Sequence, residues 1–268
     1  MRAEPADSHR LTLGEGPRWD ADAQRLYWLG IPDQEIRWLE PATGRTDGLR
    51  LDVTPGCLAP AGPDRLLLAT ERGFETLDLA TGTPELTTPV EAGDTDRRMN
   101  DGAVDPYGRM VAGTMQRAEP RTDGRLYRRE LDGSVRQLLG GLAIPNGLGW
   151  PEPDRFWHID SPSHRATLYE YPEHGPLGAT VRTLDLSQYP GEPDGLALDP
   201  EGNLWIAFWG GHAVHCFSPT GTLLATVEVP VPRATACAFD DAGTLWITTA
   251  TTADHPDSGR LFRADGVR

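Results

Sequence analysis

Residues 195–209 read GLALDPEGNLWIAFW, and residues 237–250 read CAFDDAGTLWITTA. Each is a short apolar run, a polar turn opened by an aspartate (Asp199, Asp240), and a second run rich in aromatic and β-branched residues, which is the pattern of a β-hairpin. The second run recurs along the chain as RLYWLGI from Arg25, RLLLATE from Arg65, GRMVAGT from Gly108, RFWHIDS from Arg155, NLWIAFW from Asn203 and TLWITTA from Thr244. Asp20 and Asp105 open equivalent turns, where an aspartate side chain caps its own backbone without any chemical role. A third strand follows each hairpin (EIRWLEP, GFETLDL, GRLYRRE, TLYEYPE, AVHCFSP, GRLFRAD), and a fourth follows in five of the six repeats, as in VRTLDLS and LLATVEV.

Four antiparallel strands repeated six times predict an all-β, six-bladed β-propeller, because no blade buries both faces alone and neighbours must stack around a channel. The sixth repeat ends after its third strand. SHRLTL, residues 8–13, is therefore expected to supply the missing outer strand and close the ring, leaving one domain over residues 1–268. The 30 glycines and 24 prolines among 268 residues, which make long amphipathic helices improbable, then read as the turns of the six repeats.

Composition narrows the chemistry. The chain has no lysine, so its 25 basic residues are all arginine, and Schiff-base, P-loop lysine and lysine general-base mechanisms are excluded. A net charge of −15 with no basic patch argues against nucleic acid and anionic membrane partners. The N-terminus lacks a signal-like apolar run and no stretch is long enough to span a bilayer, so a cytoplasmic protein is expected, and a monomer. Cys57, Cys216 and Cys237 form no paired metal or redox motif and read as buried thiols. There is no G-x-S-x-G elbow, and Ser161, Ser163 and Ser218 sit in proline-containing turns, against a serine hydrolase. His212 and His215 are three apart on or near a strand, so they face opposite ways, against a histidine metal site. Trp28, Trp157, Trp205 and Trp246 recur at hairpin positions and read as blade packing.

Counting back five residues from each turn aspartate or its equivalent gives the start of the innermost strands: Glu15, Pro55, Asn100, Asn146, Asp194 and Thr235, at intervals of 40, 45, 46, 48 and 41 residues. Repeat symmetry places these six around one mouth of the channel. Two carboxylates facing each other there repel unless a cation or a shared proton intervenes. Glu15, Asn146 and Asp194 together are a hard all-oxygen set, suited to one divalent metal ion, Ca²⁺ first by ligand type, with Mg²⁺, Mn²⁺, Zn²⁺ or Fe²⁺ as alternatives. Strand alternation puts the entrance loops at 30–34, 114–124, 160–166, 209–213 and 250–259, where specificity is expected.

GEGPRWD from Gly14, RMNDGAVDPYGRMVAGTM from Arg98, IPNGLGW from Ile144 and PDGLALDPEGNLWIAFWGG from Pro193 resemble the regucalcin, gluconolactonase and luciferin-regenerating-enzyme family, over Glu15 to Ala250. The resemblance implies a six-bladed propeller with one divalent metal in the channel and hydrolysis of a small neutral sugar lactone. It implies Glu15, Asn146 and Asp194 as metal ligands, and Arg98 and Asn100 as substrate contacts. Some members add an acidic residue in the loop after GTM; that loop here reads QRAEPRTDG, shorter than in the animal proteins, with Glu119 the nearest candidate. Asp194 is the expected general base, since a metal-bound carboxylate keeps a second oxygen for a proton. Other ester or phosphotriester hydrolysis, and a non-catalytic calcium-binding or interaction propeller, are the alternative readings.

Overall fold

The computed structural model describes residues 1–118 and 120–267. Six four-stranded antiparallel sheets form the blades of a propeller. Their innermost strands are Gly14–Asp20, Pro55–Pro60, Arg97–Val104, Pro145–Glu152, Glu192–Leu198 and Ala234–Phe239, for blades 1 to 6. The blades are wedges held by what lies between them: a separate apolar cluster fills each of the six gaps. Between blades 5 and 6, for example, Trp205, Ala207 and Val214 meet Cys237, Leu245, Ile247 and Phe262. The turn aspartates are structural, as expected. Asp199 and Asp240 each accept a backbone N–H four residues on and, through the second oxygen, the indole N–H of Trp205 or Trp246. All three cysteines are buried free thiols.

The ring closes through the N-terminus, but not through the segment expected. The outer strand of blade 6 is Glu4–Pro5, paired with Phe262–Ala264. Ahead of it, Arg2 bridges in parallel to Glu228 of blade 5, and Ala3 is buried between blades 5 and 6. Residues 8–13 instead form a strap from the outer edge to the channel mouth. Leu11 packs among Leu26, Trp28, Leu39, Trp246 and Leu261 between blades 6 and 1, and its N–H donates to Gly259 O at 2.8 Å. Alternating leucines look the same in sequence whether they face a sheet or wedge between two. Pro5, which weakens a strand reading, is tolerated because an edge strand leaves one row of groups unpaired.

Candidate metal and substrate site

Every innermost strand breaks register with its neighbour at the same height, between Glu15 and Arg18, Pro55 and Cys57, Met99 and Gly102, Asn146 and Leu148, Pro193 and Leu196, and Ala234 and Ala236. A bulge bends its strand and re-aims the side chain beside it. Glycine follows the ring residue where strands approach most closely. A Cβ on Gly195 would stand 2.4 Å from that of Ala236, and Gly147 adopts φ +39° with Asp194 O within 2.9 Å of its would-be Cβ. Blades 3 and 6 depart from this: Ala236 follows Thr235, and in blade 3 Asp101 takes the place of the glycine, with its carboxylate buried.

Glu15, Asn100, Asn146 and Asp194 line one cavity of about 240 Å³, together with Arg98. Pro55 and Thr235, equivalent by repeat, do not line it; the Thr235 hydroxyl donates to Gly14 O at 2.6 Å and joins blade 6 to blade 1. The four polar ring residues are more than nine-tenths buried.

Hydrogen bonds fix the amides from both ends. Arg98 Nη1 can only donate, and it donates to Asn100 Oδ1 at 2.7 Å. The carbonyl of Pro145 can only accept, and it accepts from Asn100 Nδ2 at 3.0 Å. The same Nδ2 donates to Asn146 Oδ1 at 2.7 Å, so Asn146 Nδ2 must point elsewhere, and it donates to Ser161 Oγ at 2.8 Å. Ser161 begins the short 3₁₀ turn Ser161–Ser163 that follows the second strand of blade 4, and it is buried. Its proline-containing turn hid this role in the sequence.

The carboxylates are less satisfied. Glu15 Oε2 accepts the Gly16 N–H at 3.2 Å, whereas Asp194 Oδ1 is buried without a hydrogen-bond partner among the described residues. Burial, then the charge of Asp101, pushes Glu15 up to about 8. Burial, then Glu15, Asp101 and Glu192, also raises Asp194, with Arg98 opposing. Burial pushes Arg98 down to about 10. Beneath the ring, Arg18 Nη2 donates to Gly102 O at 2.7 Å and reaches Asp101 Oδ1 at 3.4 Å. That pair stands between this cavity and a depression of about 740 Å³ at the opposite end of the channel, lined by Arg18, Trp150 and Phe239. The two linings share no residue.

An unpartnered buried oxygen, a second carboxylate held against its normal ionisation and an amide oxygen turned into the same cavity fit a hard divalent cation. No three His, Cys, Asp or Glu side chains gather into such a group among the described residues, so the amide is an essential part of the set. His158 is buried in blade 4, away from the cavity.

Glu119 lies outside the described residues. Met115, Ser161 and Trp209 reach the lining from segments expected at the entrance, without individual roles foreseen, whereas Leu13, Ile144 and Glu192 were not singled out. Glu192 stands two residues before Asp194, and strand alternation carries enough signal to find it.

A propeller whose channel mouth gathers three carboxylates, two amides and an arginine around one cavity has the concave, polar pocket of a small-molecule hydrolase. The chain belongs to the SMP-30/Gluconolactonase/LRE-like family, whose region matches residues 13–251. It is 34% identical over 245 residues to pentonolactonase XacC of Haloferax volcanii, covering 89% of this chain and 81% of that protein. It is 33% identical over 264 residues to 6-deoxy-6-sulfogluconolactonase of Pseudomonas putida, covering 93% and 90%. The solved structure of a calcium-binding regucalcin from Agrobacterium tumefaciens superposes with a TM-score of 0.92 at 29% identity, over 98% of this chain and 93% of that one. The chain is thus a carboxylic ester hydrolase of the sugar lactone lactonase family.

Proposed function

We propose that the protein opens a neutral aldonolactone, such as a glucono-, xylono- or arabinonolactone, to the free acid, with one divalent metal ion held by Glu15, Asn146 and Asp194. The observation that carries this reading is the unpartnered, buried Oδ1 of Asp194 in a cavity that it shares with Glu15, Asn146, Arg98 and Asn100. A cation bound there supplies Lewis-acid polarisation of the lactone carbonyl and a more acidic water.

The chain's own groups do the rest. The Asp194 carboxylate takes a proton from the attacking water as its oxygen bonds to the carbonyl carbon. It returns that proton to the ring oxygen when the ring C–O bond breaks, leaving the carboxylic acid and a hydroxyl. Arg98, already held by Asn100 and the Met99 carbonyl, presents its remaining N–H groups to substrate oxygens. Asn100, fixed at both ends of its amide, holds Arg98 and Asn146 in a single arrangement.

The test is release of acid from a panel of five- and six-membered aldonolactones by chelator-stripped protein, with Ca²⁺, Mn²⁺, Mg²⁺, Zn²⁺ and Fe²⁺ added back singly. No turnover above spontaneous hydrolysis with any metal would falsify the reading. Asp194→Asn is expected to lose roughly 10²–10⁴-fold in kcat while keeping its fold. An active variant removes Asp194 as the base.

A further inference from the structure

The proposed chemistry uses Asp194 of blade 5 but leaves the other two cavity-lining residues of that blade, Glu192 and Trp209, without a task. Glu192 and Trp209 are directly opposite partners across the two inner strands of that blade, and both side chains line the cavity. Directly opposite residues share a sheet face. The Glu192 side chain makes no hydrogen bond or ion pair among the described residues, and its charge repels that of Asp194. Its strand runs inward from the mouth, since Leu198 at the other end lines the opposite depression. Glu192 therefore stands outward of Asp194 by two residues, about 7 Å of strand, enough to span a lactone ring.

Trp209 is braced from behind. The Arg233 guanidinium lies 4.7 Å from the centre of its ring and is itself held by Thr251 O at 3.2 Å. Arg233 does not line the cavity, so the part of the indole that Arg233 leaves uncovered is what faces it. A fixed indole beside an unpaired carboxylate matches the two surfaces of a sugar ring, an apolar C–H face and an edge of hydroxyl donors.

We propose that Glu192 and Trp209 form a sugar-recognition subsite that sets specificity: Trp209 packs against the ring face, and Glu192 accepts from hydroxyls at the end remote from the carbonyl. This rests on the lactonase reading and names its substrate class, polyhydroxylated lactones that are neutral at that end. A lactone carrying a sulfonate, carboxylate or phosphate there meets the charge of Glu192 and is turned away.

The experiment compares kcat/KM for gluconolactone and for the same lactone bearing an anionic group at its outer end, in wild type, Glu192→Gln, Glu192→Ala and Trp209→Leu, with folding checked by melting. Wild type is expected to favour the neutral lactone. Both Glu192 variants should raise KM for it about tenfold, the worth of a charged hydrogen bond, and shrink the neutral-to-anionic preference by a similar factor with kcat little changed. Trp209→Leu should raise KM for both substrates together. A preference unchanged in both Glu192 variants, or a wild type that favours the anionic lactone, overturns the subsite while leaving the lactonase reading intact. A wild type that opens no lactone overturns both.

Discussion

The oxygen that Asn146 presents to the channel is chosen by its neighbours. An amide presents an acceptor or a donor depending on a half-turn, and the wrong face would put two N–H donors beside the proposed cation. Pro145 O and Arg98 settle Asn100, Asn100 settles Asn146, and Ser161 Oγ receives the hydrogen left over. Ser161 is thus a positioning residue. Ser161→Ala should weaken divalent-ion binding about 10–100-fold, as loss of a group that orients a ligand does, with little change in melting temperature of the metal-free protein. Ser161→Thr, which keeps the hydroxyl, should restore it. Calorimetric titration of the stripped protein decides the point, and wild-type affinity in Ser161→Ala would show that Asn146 needs no such lock. The sequence brought Glu15, Asn146 and Asp194 together because repeat arithmetic reads strand starts. It passed over Ser161 because nothing in a string tells a turn serine from one whose hydroxyl reaches an amide fifteen residues earlier.

At the scale of the strand, the bulge repeated in all six blades converts the register of a hairpin into a ring of side chains aimed at one mouth. The hairpins were legible because each carries its own turn and apolar run. Ring closure was legible as a requirement, since the last repeat is one strand short, but not in its location, because closure joins residues at opposite ends of the chain. Two residues, Glu4–Pro5, complete blade 6, and the peptides before and after them donate from Ala3 to Glu228 O and from Ala6 to Leu261 O, both at 2.8 Å. Removing residues 1–7 forfeits these bonds, the acceptance of the Glu228 N–H by Met1 O and the burial of Ala3. At about 1 kcal/mol for each of these four losses, that lowers the melting temperature by about 8–16 °C in a chain of this size. The strap at residues 8–13 is left in place by this truncation. Melting of the truncated protein at the full-length temperature would mean that the strap alone closes the ring.

Across the whole molecule, the propeller concentrates at its axis the charge that its surface otherwise disperses. The net charge is −15, and Glu15, Asp101 and Asp194 are buried together with Arg98 and Arg18 as the nearby cations. Glu15 rises from its ordinary 4.5 to about 8, so the folded metal-free protein keeps a proton that the unfolded chain has released. A raised folded value stabilises fully below about 4.5, and the contribution is lost as pH climbs through about 8. Other buried groups act outside the upper part of that range. His158, pushed down to about 3 by burial, and His215, also lowered, act in the opposite sense, and their contribution fades as pH climbs past their ordinary 6.5. The buried thiols Cys57, Cys216 and Cys237, all raised, begin to matter only near their ordinary 9.0. Between pH 6.5 and 8 a net loss of stability with rising pH therefore reports the channel carboxylates, since the histidines oppose it. Chelator-stripped protein should lose about 5 °C of melting temperature across that interval. A divalent cation bound as proposed would take the place of the proton, so its stabilising effect should grow with pH over the same interval. Glu15→Gln removes one of the titrating groups and should reduce the metal-free slope. A slope equal to that of wild type in both Glu15→Gln and Asp194→Asn would place the pH dependence outside these two carboxylates and remove the electrostatic case for a cation there.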